Sequence, residues 1–173
     1  MSHAEKQFYP LNIAVLTVSD TRTLAEDTSG QYLVEVLQAA GHHLAARELL
    51  TDDKYGIRAQ VAQWIADKSV QVVLITGGTG FYGRDNTPEA VSVLFDKQID
   101  GFGEVFRAAS MQEIGLSTMQ SRALAGMANR TAVFCLPGST GACKTGWEKV
   151  LCEQLDSRTG PCNFYPHLTR ADD

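Results

Sequence analysis

The chain has 173 residues, of which 44% are apolar and 20% charged, enough to enclose one full core but short for two, and unlike a disordered or low-complexity composition. A net charge of −5 with no basic stripe argues against a nucleic-acid binder. No apolar run approaches the roughly 20 residues of a membrane-crossing helix, and Met1 to Pro10 is polar without a signal-peptide core, so the expected location is the cytoplasm, away from any membrane.

Asn12 to Val18 reads as a first strand, followed by a polar loop through Ser19, Asp20 and Asp27. Thr28 with Gln31 has the spacing of a capping box. Leu33, Val36, Leu37 and Ala40 then recur at helical spacing, and Gly41 supplies the stop. A second strand covers Leu44 to Leu50 and ends at Asp52 and Asp53, after which Ile57, Val61, Trp64 and Ile65 mark one apolar helical face. The apolar run within residues 70–76 fits an inner strand of a parallel sheet. Thr87-Pro88-Glu89 opens a helix over 87–97, with Thr87 as cap and Pro88 at the first helical position. Between Gly101 and Ala125 the periodicity is mixed, and short helices with a functional loop are expected. Thr131 to Leu136 is another buried strand, ending in Pro137-Gly138-Ser139, and Ala142 to Leu155 reads as a helix with Trp147, Val150 and Leu151 inward. Strands alternating with helices imply an α/β fold, a mostly parallel sheet with right-handed crossovers and helices on both faces, as a single domain over 1–173 with an irregular docked tail from about residue 156.

The most informative stretch joins the third strand to Gly77-Gly78-Thr79-Gly80, then Arg84-Asp85, then a helix start. Glycines at the carboxyl end of such a strand let backbone N–H groups approach anionic oxygens, and a helix N-terminus beyond them adds partial positive charge. Gly78 to Gly83 formally matches GxGxxG, but Arg84, Asp85 and Asn86 separate its last glycine from the helix, and it follows the third strand rather than the first. A nicotinamide-linked enzyme is therefore a distant reading. No GxxxxGK[ST] supports a Walker-type triphosphatase. Asp52 falls at the carboxyl end of the second strand. It and Asp85 are each open to two readings, a turn or helix-entry acid, or half of a carboxylate pair that shares a metal ion such as Mg²⁺. Ser19 and Asp20, Asp27 to Gly30, and Pro137 to Ser139 are polar loops that converge on the same rim. Arg84, Arg107, Arg122 and Lys144 are the cations available to anionic groups, with solvated surface as the plainer alternative for each. The four cysteines, at 135, 143, 152 and 162, form no CxxC pair and read as reduced thiols. The histidines are too scattered for a metal or catalytic cluster.

Val18-Ser19-Asp20, Asp27-Thr28-Ser29-Gly30, Thr76 to Gly80 with Arg84 to Ala90, Gly101-Phe102-Gly103-Glu104, Ser121-Arg122 and Leu136-Pro137-Gly138-Ser139 together resemble the MoaB/MogA family of molybdenum cofactor biosynthesis proteins. The resemblance spans nearly the whole chain. Cys162 to Leu168 and Ile57 to Gln60 are most similar to its bacterial MoaB branch. It implies a molybdopterin-binding fold, a homotrimer or homohexamer, possible contacts with other proteins of the pathway, and Mg²⁺- and ATP-dependent adenylylation of molybdopterin with release of pyrophosphate. By motif, Asp52 and Asp85 match catalytic, metal-coordinating aspartates. Gly77, Gly78, Thr79 and Gly80 with Pro137, Gly138 and Ser139 are expected at the nucleotide phosphates, and Ser19, Asp20, Ser29, Arg84 and Thr87 at the pterin. A non-catalytic molybdopterin-binding or scaffold protein of the same pathway is the alternative.

Overall fold

The computed structural model describes residues 7–169; the first six residues of the polar start and the last four of the tail lie outside them. The sequence order builds one six-stranded sheet. Its elements are β1 (Asn12–Val18), α1 (Thr28–Ala39), β2 (His43–Leu50), α2 (Lys54–Ala66), β3 (Val72–Thr76), α3 (Thr87–Val91), β4 (Lys97–Gln98), α4 (Asp100–Ile114), β5 (Leu124–Ala128), β6 (Thr131–Leu136), α5 (Thr140–Gly146), α6 (Cys152–Gln154) and α7 (Tyr165–Leu168). The strand order is β2-β1-β3-β6-β5-β4. The first four are mutually parallel, and β5 runs antiparallel to both β6 and β4. The sheet is therefore mostly parallel with an antiparallel edge.

Side chains alternate across the strands and sort into two cores. Ile13, Val15, Leu74 and Phe134 face α1, α4 and the helix after β6, together with Leu168 of the tail. Ala14, Leu16, Ile75 and Cys135 face α2 and α3. Helices thus cover both faces. The four cysteines are free, two of them buried, and no helix of the described residues is long and apolar enough to cross a membrane.

Several local expectations are corrected. The first helix is capped by Asp27 rather than Thr28: its carboxylate accepts from Gly30 N at 2.9 Å. Gln31 donates instead to Glu35 and accepts from Arg47, so no capping box forms. A carboxylate outcompetes a hydroxyl here because it also takes bonds from Thr17 (2.7 Å) and Arg47 (3.1 Å), tying β1 and β2 to α1. A Cβ at Gly30 would fall on Asp27 and Thr17 side-chain oxygens. Asn86, not Thr87, is the residue before α3, which stops at Val91 and passes through a 3₁₀ turn into β4. The 101–125 region holds one 15-residue helix and a six-residue 3₁₀ segment, Gly115–Gln120, rather than several short helices. The last long helix starts two residues earlier than expected, on Ser139 as cap, and widens into a π turn at Trp147–Leu151.

His42 is buried, accepts from Leu11 N at 3.1 Å through Nδ1 and packs against Phe8 and Trp147. Burial pushes its pKa down, with His43 adding to the effect and Asp156 opposing it. The unfolded chain then binds more protons than the folded one as pH falls through about 6.5, so stability drops on that side. Between about pH 7 and pH 5 the wild-type Tm should fall, and His42→Gln, although less stable overall, should show a flatter Tm profile over the same range by calorimetry.

Candidate functional site

The parallel strands β1, β2, β3 and β6 all end at one rim, and the order reverses between β1 and β3, the place where open α/β sheets bind ligands. β5 starts at that rim because it runs the other way, which brings Ser121 and Arg122 there too. A cleft of about 570 Å³ opens at this point.

One wall is backbone. Gly77 and Gly78 have φ of +105° and +64°, and a Cβ on either would collide, at Gly77 with the Val18 carbonyl and at Gly78 with Thr87 Oγ1 and with Asp52 Oδ2 at 2.6 Å. Gly77 N donates to Leu136 O, whereas the N–H groups of Gly78, Thr79 and Gly80 have no acceptor among the described residues. Pro137, Gly138 and Ser139 continue this wall, with Ser19, Thr21 and Arg22 alongside. The other wall is Phe106, Ser110 and Ile114 of α4, followed by Ser117, Gln120 and Ser121.

Of the residues expected from sequence, Ser19, Gly77, Gly78, Thr79, Gly80, Asp85, Pro137, Gly138 and Ser139 line the cleft. The rest support it. Thr87 is fully buried and donates its hydroxyl to Gly77 O. Ser29 is buried, donates to Asp27 and accepts from Arg22. Asp20 and Arg84 form a two-pronged ion pair at 2.6 and 3.0 Å on the outer rim. The hydrogen bonds from Arg84, with one from Asp52 N, hold the Asp20 carboxyl below its usual range.

Asp52 is treated differently. It is 7% exposed and, among the described residues, its carboxylate accepts only from Asn86 N, at 3.0 Å. Burial pushes its carboxyl up, and the negative charges of Asp85 and Asp20 push the same way against the Asn86 N–H and Arg84. Asp85, partly exposed, accepts from Tyr82 N at 2.8 Å. Each aspartate keeps one oxygen outside the hydrogen bonds of the described residues, so a cation has two hard acceptors on offer.

Sequence reasoning missed two components. Arg22 is half-buried and donates Nη1 to Ser29 Oγ and Gly138 O, while its Nε and Nη2 have no partner among the described residues; it is the cleft's own cation. The α4 wall was the second omission, although Phe102, Phe106, Ser110 and Ile114 repeat at a strict four-residue interval. Of the cations named beforehand, Arg107 does not line the cleft and donates to the carbonyls of Ser121 and Ala123, and Lys144 lies over the Tyr32 ring.

A family model described as "Probable molybdopterin binding domain" matches residues 14–157. Molybdenum cofactor biosynthesis protein B of Escherichia coli K12 is 55% identical over 170 residues, 98% of this chain and all of that one. A crystal structure of a molybdenum cofactor biosynthesis protein B superposes with a TM-score of 0.82 at 45% identity, over 85% of this chain and 92% of that one. The structure of the molybdopterin biosynthesis enzyme MoaB from Thermus thermophilus gives a TM-score of 0.73 at 32% identity, over 82% and 89% of the two chains.

The raised Asp52 carboxyl carries a stability consequence. The folded state holds its proton more tightly than the unfolded state, so the penalty is absent below the unfolded pKa and grows as pH rises through the folded one. Asp52→Asn keeps the acceptor for Asn86 N and removes the charge. At neutral pH it should raise Tm by about 2–4 °C in a metal-free thermal melt, with the gap closing toward about pH 3; a lower Tm at neutral pH would refute this account of the carboxyl.

Proposed function

This chain belongs to the molybdenum cofactor biosynthesis protein B family, and we propose that it transfers an adenylyl group from ATP to molybdopterin. In that reaction a terminal phosphate oxygen of molybdopterin bonds to the α-phosphorus of ATP as the bond to the leaving pyrophosphate breaks. The observation that carries the reading is the desolvated Asp52 carboxylate, raised in pKa beside Asp85 at a loop with unengaged N–H groups. Perturbed carboxylates in a cleft mark sites that await a cation or do proton chemistry.

The donor set fits Mg²⁺, which takes one or two carboxylates and completes its shell with phosphate oxygens and water. Among the described residues no third His, Cys, Asp or Glu joins the pair, so the protein would supply the minority of the ligands through Asp52 and Asp85. Bound there, the ion would neutralise charge on the phosphate oxygens. The chain's own groups do the rest. Gly78, Thr79 and Gly80 direct N–H donors at non-bridging oxygens, with no Cβ in the way at Gly78 and Gly80. Arg22 offers two free donor nitrogens, and its Nη1 is already fixed by Ser29 and Gly138, so little side-chain entropy is lost on engagement. Asn86 N–H fixes the orientation of Asp52. Phe106 and Ile114 give the facing side of the cleft an apolar lining. Catalysis of this type rests on alignment and charge neutralisation, and these groups supply both.

Assembly into a trimer or hexamer is part of the same proposal. Val105, Met111, Ile114, Leu116 and Met119 are 42–73% exposed on α4 and the 3₁₀ segment behind it, an apolar outer face of the kind that covers an interface.

Protein mixed with molybdopterin, ATP and Mg²⁺ should release pyrophosphate and form adenylylated molybdopterin. Asp85→Asn should cut turnover by about a hundredfold with pterin binding nearly unchanged, and Arg22→Ala should weaken binding of phosphate-bearing ligands by about tenfold. Pterin binding without any pyrophosphate would replace this reading with that of a non-catalytic binder or scaffold.

A further inference from the structure

Arg122, at the entrance to β5, grips the glycine loop and the start of α3 from outside the cleft. Its Nε donates to Gly80 O at 2.9 Å and Thr79 O at 3.3 Å. Its Nη2 donates to Asp85 O at 2.7 Å, its Nη1 pairs with the Glu89 carboxylate, and the guanidinium lies 5.4 Å from the Phe81 ring centroid. All three nitrogens are engaged by protein. Three of the acceptors are backbone carbonyls of one short loop.

A trans peptide points its C=O and the following N–H in opposite directions. Holding the Thr79 carbonyl therefore aims the Gly80 N–H away from Arg122, and Gly80 lines the cleft while Arg122 does not. Holding the Asp85 carbonyl aims the Asn86 N–H the other way, and that N–H is the one that Asp52 accepts, at 3.0 Å. One guanidinium thus sets two peptide planes, one presenting a loop donor and the other orienting the buried carboxylate. The link to Asp52 passes through backbone alone.

We infer that Arg122 is a positioning residue of this site: it binds no ligand charge, and its forked donors hold the planes that aim the Gly80 N–H, Asp85 and Asp52 at one point. This rests on the cation and phosphate reading given above. A lysine supplies the same charge from a single tip and cannot span three carbonyls and a carboxylate. Charge retention and positioning are therefore separable by one substitution, and Glu89→Gln removes the ion pair while leaving the carbonyl bonds in place.

The experiment is amide hydrogen exchange on the full chain, paired with Mn²⁺ titration followed by electron paramagnetic resonance, in wild type, Arg122→Lys and Glu89→Gln. The Tyr82, Asp85, Asn86 and Thr87 amides are each bonded within the loop or to Asp52 and Gly78. In Arg122→Lys they should exchange about tenfold faster while β3 and β6 keep wild-type protection, and Mn²⁺ affinity should fall several-fold. Glu89→Gln should stay within about twofold of wild type in both readouts. Unchanged loop exchange in Arg122→Lys, or equal acceleration through β3 and β6, would overturn the inference, the second by reducing Arg122 to general stabilisation. The exchange arm needs neither nucleotide nor pterin. A wild type that binds no Mn²⁺ and makes no adenylylated product would thus defeat the cation and phosphate reading while leaving the loop measurement to decide the role of Arg122.

Discussion

The close approach of backbone to side chains at Gly77 and Gly78 is the constraint on which the rim depends. At this point the loop passes so near the Val18 carbonyl that no side chain fits, and directly beneath it lie Thr87 Oγ1 and Asp52 Oδ2. Thr87 closes the contact by donating to Gly77 O, and its own N–H goes to Gly78 O. The start of α3 is thereby fixed to the end of β3. Because β1 and β3 are parallel neighbours and the chain leaves them in opposite directions, this crowded point is also the mouth of the crevice. The packing that makes the loop rigid and the topology that makes the cleft are consequences of one strand order.

Three aspartates near this rim show how environment separates residues of one type. Burial alone would push Asp27 up, but hydrogen bonds from Thr17, Gly30 N and Arg47 outweigh it and hold the carboxyl below its usual range. Its work is structural, joining β1, α1 and β2. Asp20 is held down by Arg84 on the outside. Only Asp52 is buried without a cation of its own and is pushed up. A chain with a net charge of −5 thus neutralises two of these carboxylates internally, while the third feels the like charge of Asp85 and has no ion-pair partner among the described residues. Leaving a buried charge uncompensated costs stability, and natural proteins retain such arrangements at sites of chemistry.

Much of the framework was legible because strand burial is written in composition. Asn12–Val18 and Thr131–Leu136 are predominantly apolar segments read to the residue, and β3 is off only at its first two positions. Helix starts were less legible, for a physical reason. At both Thr28 and Thr87 a local hydroxyl has the right spacing for a cap, but tertiary partners decide: Asp27 is drawn in by Thr17 and Arg47, and Thr87 is taken by the Gly77 carbonyl. In α4 the glycines at 101 and 103 weaken the helical signal in the first turn, and its outward Val105 and Met111 blur amphipathicity. That the glycine loop and Asp85 share one rim was visible in the sequence, whereas the place of Arg22 beside them was not. A lone arginine in a polar loop carries no periodicity or spacing, and its role arises only from Ser29 and Gly138, 7 and 116 residues away.

The cleft's two walls differ in kind, and that difference bears on what can occupy it. On one side are N–H groups, the Arg22 guanidinium and the Asp85 carboxylate; on the other are the Phe106 ring, Ile114 and the hydroxyls of Ser110 and Ser117. A free phosphate would satisfy the first wall and leave the second bare, while a purely apolar ligand would strand the guanidinium and the amides without acceptors. A molecule with a flat heteroaromatic system at one end and a phosphate at the other meets both demands. Molybdopterin and ATP each have that shape, so the walls alone do not assign one ring to one end. Under the proposed adenylyl transfer, a cation shared by Asp52 and Asp85 would bring the two phosphate ends together there, and the rings would have to leave that point in different directions.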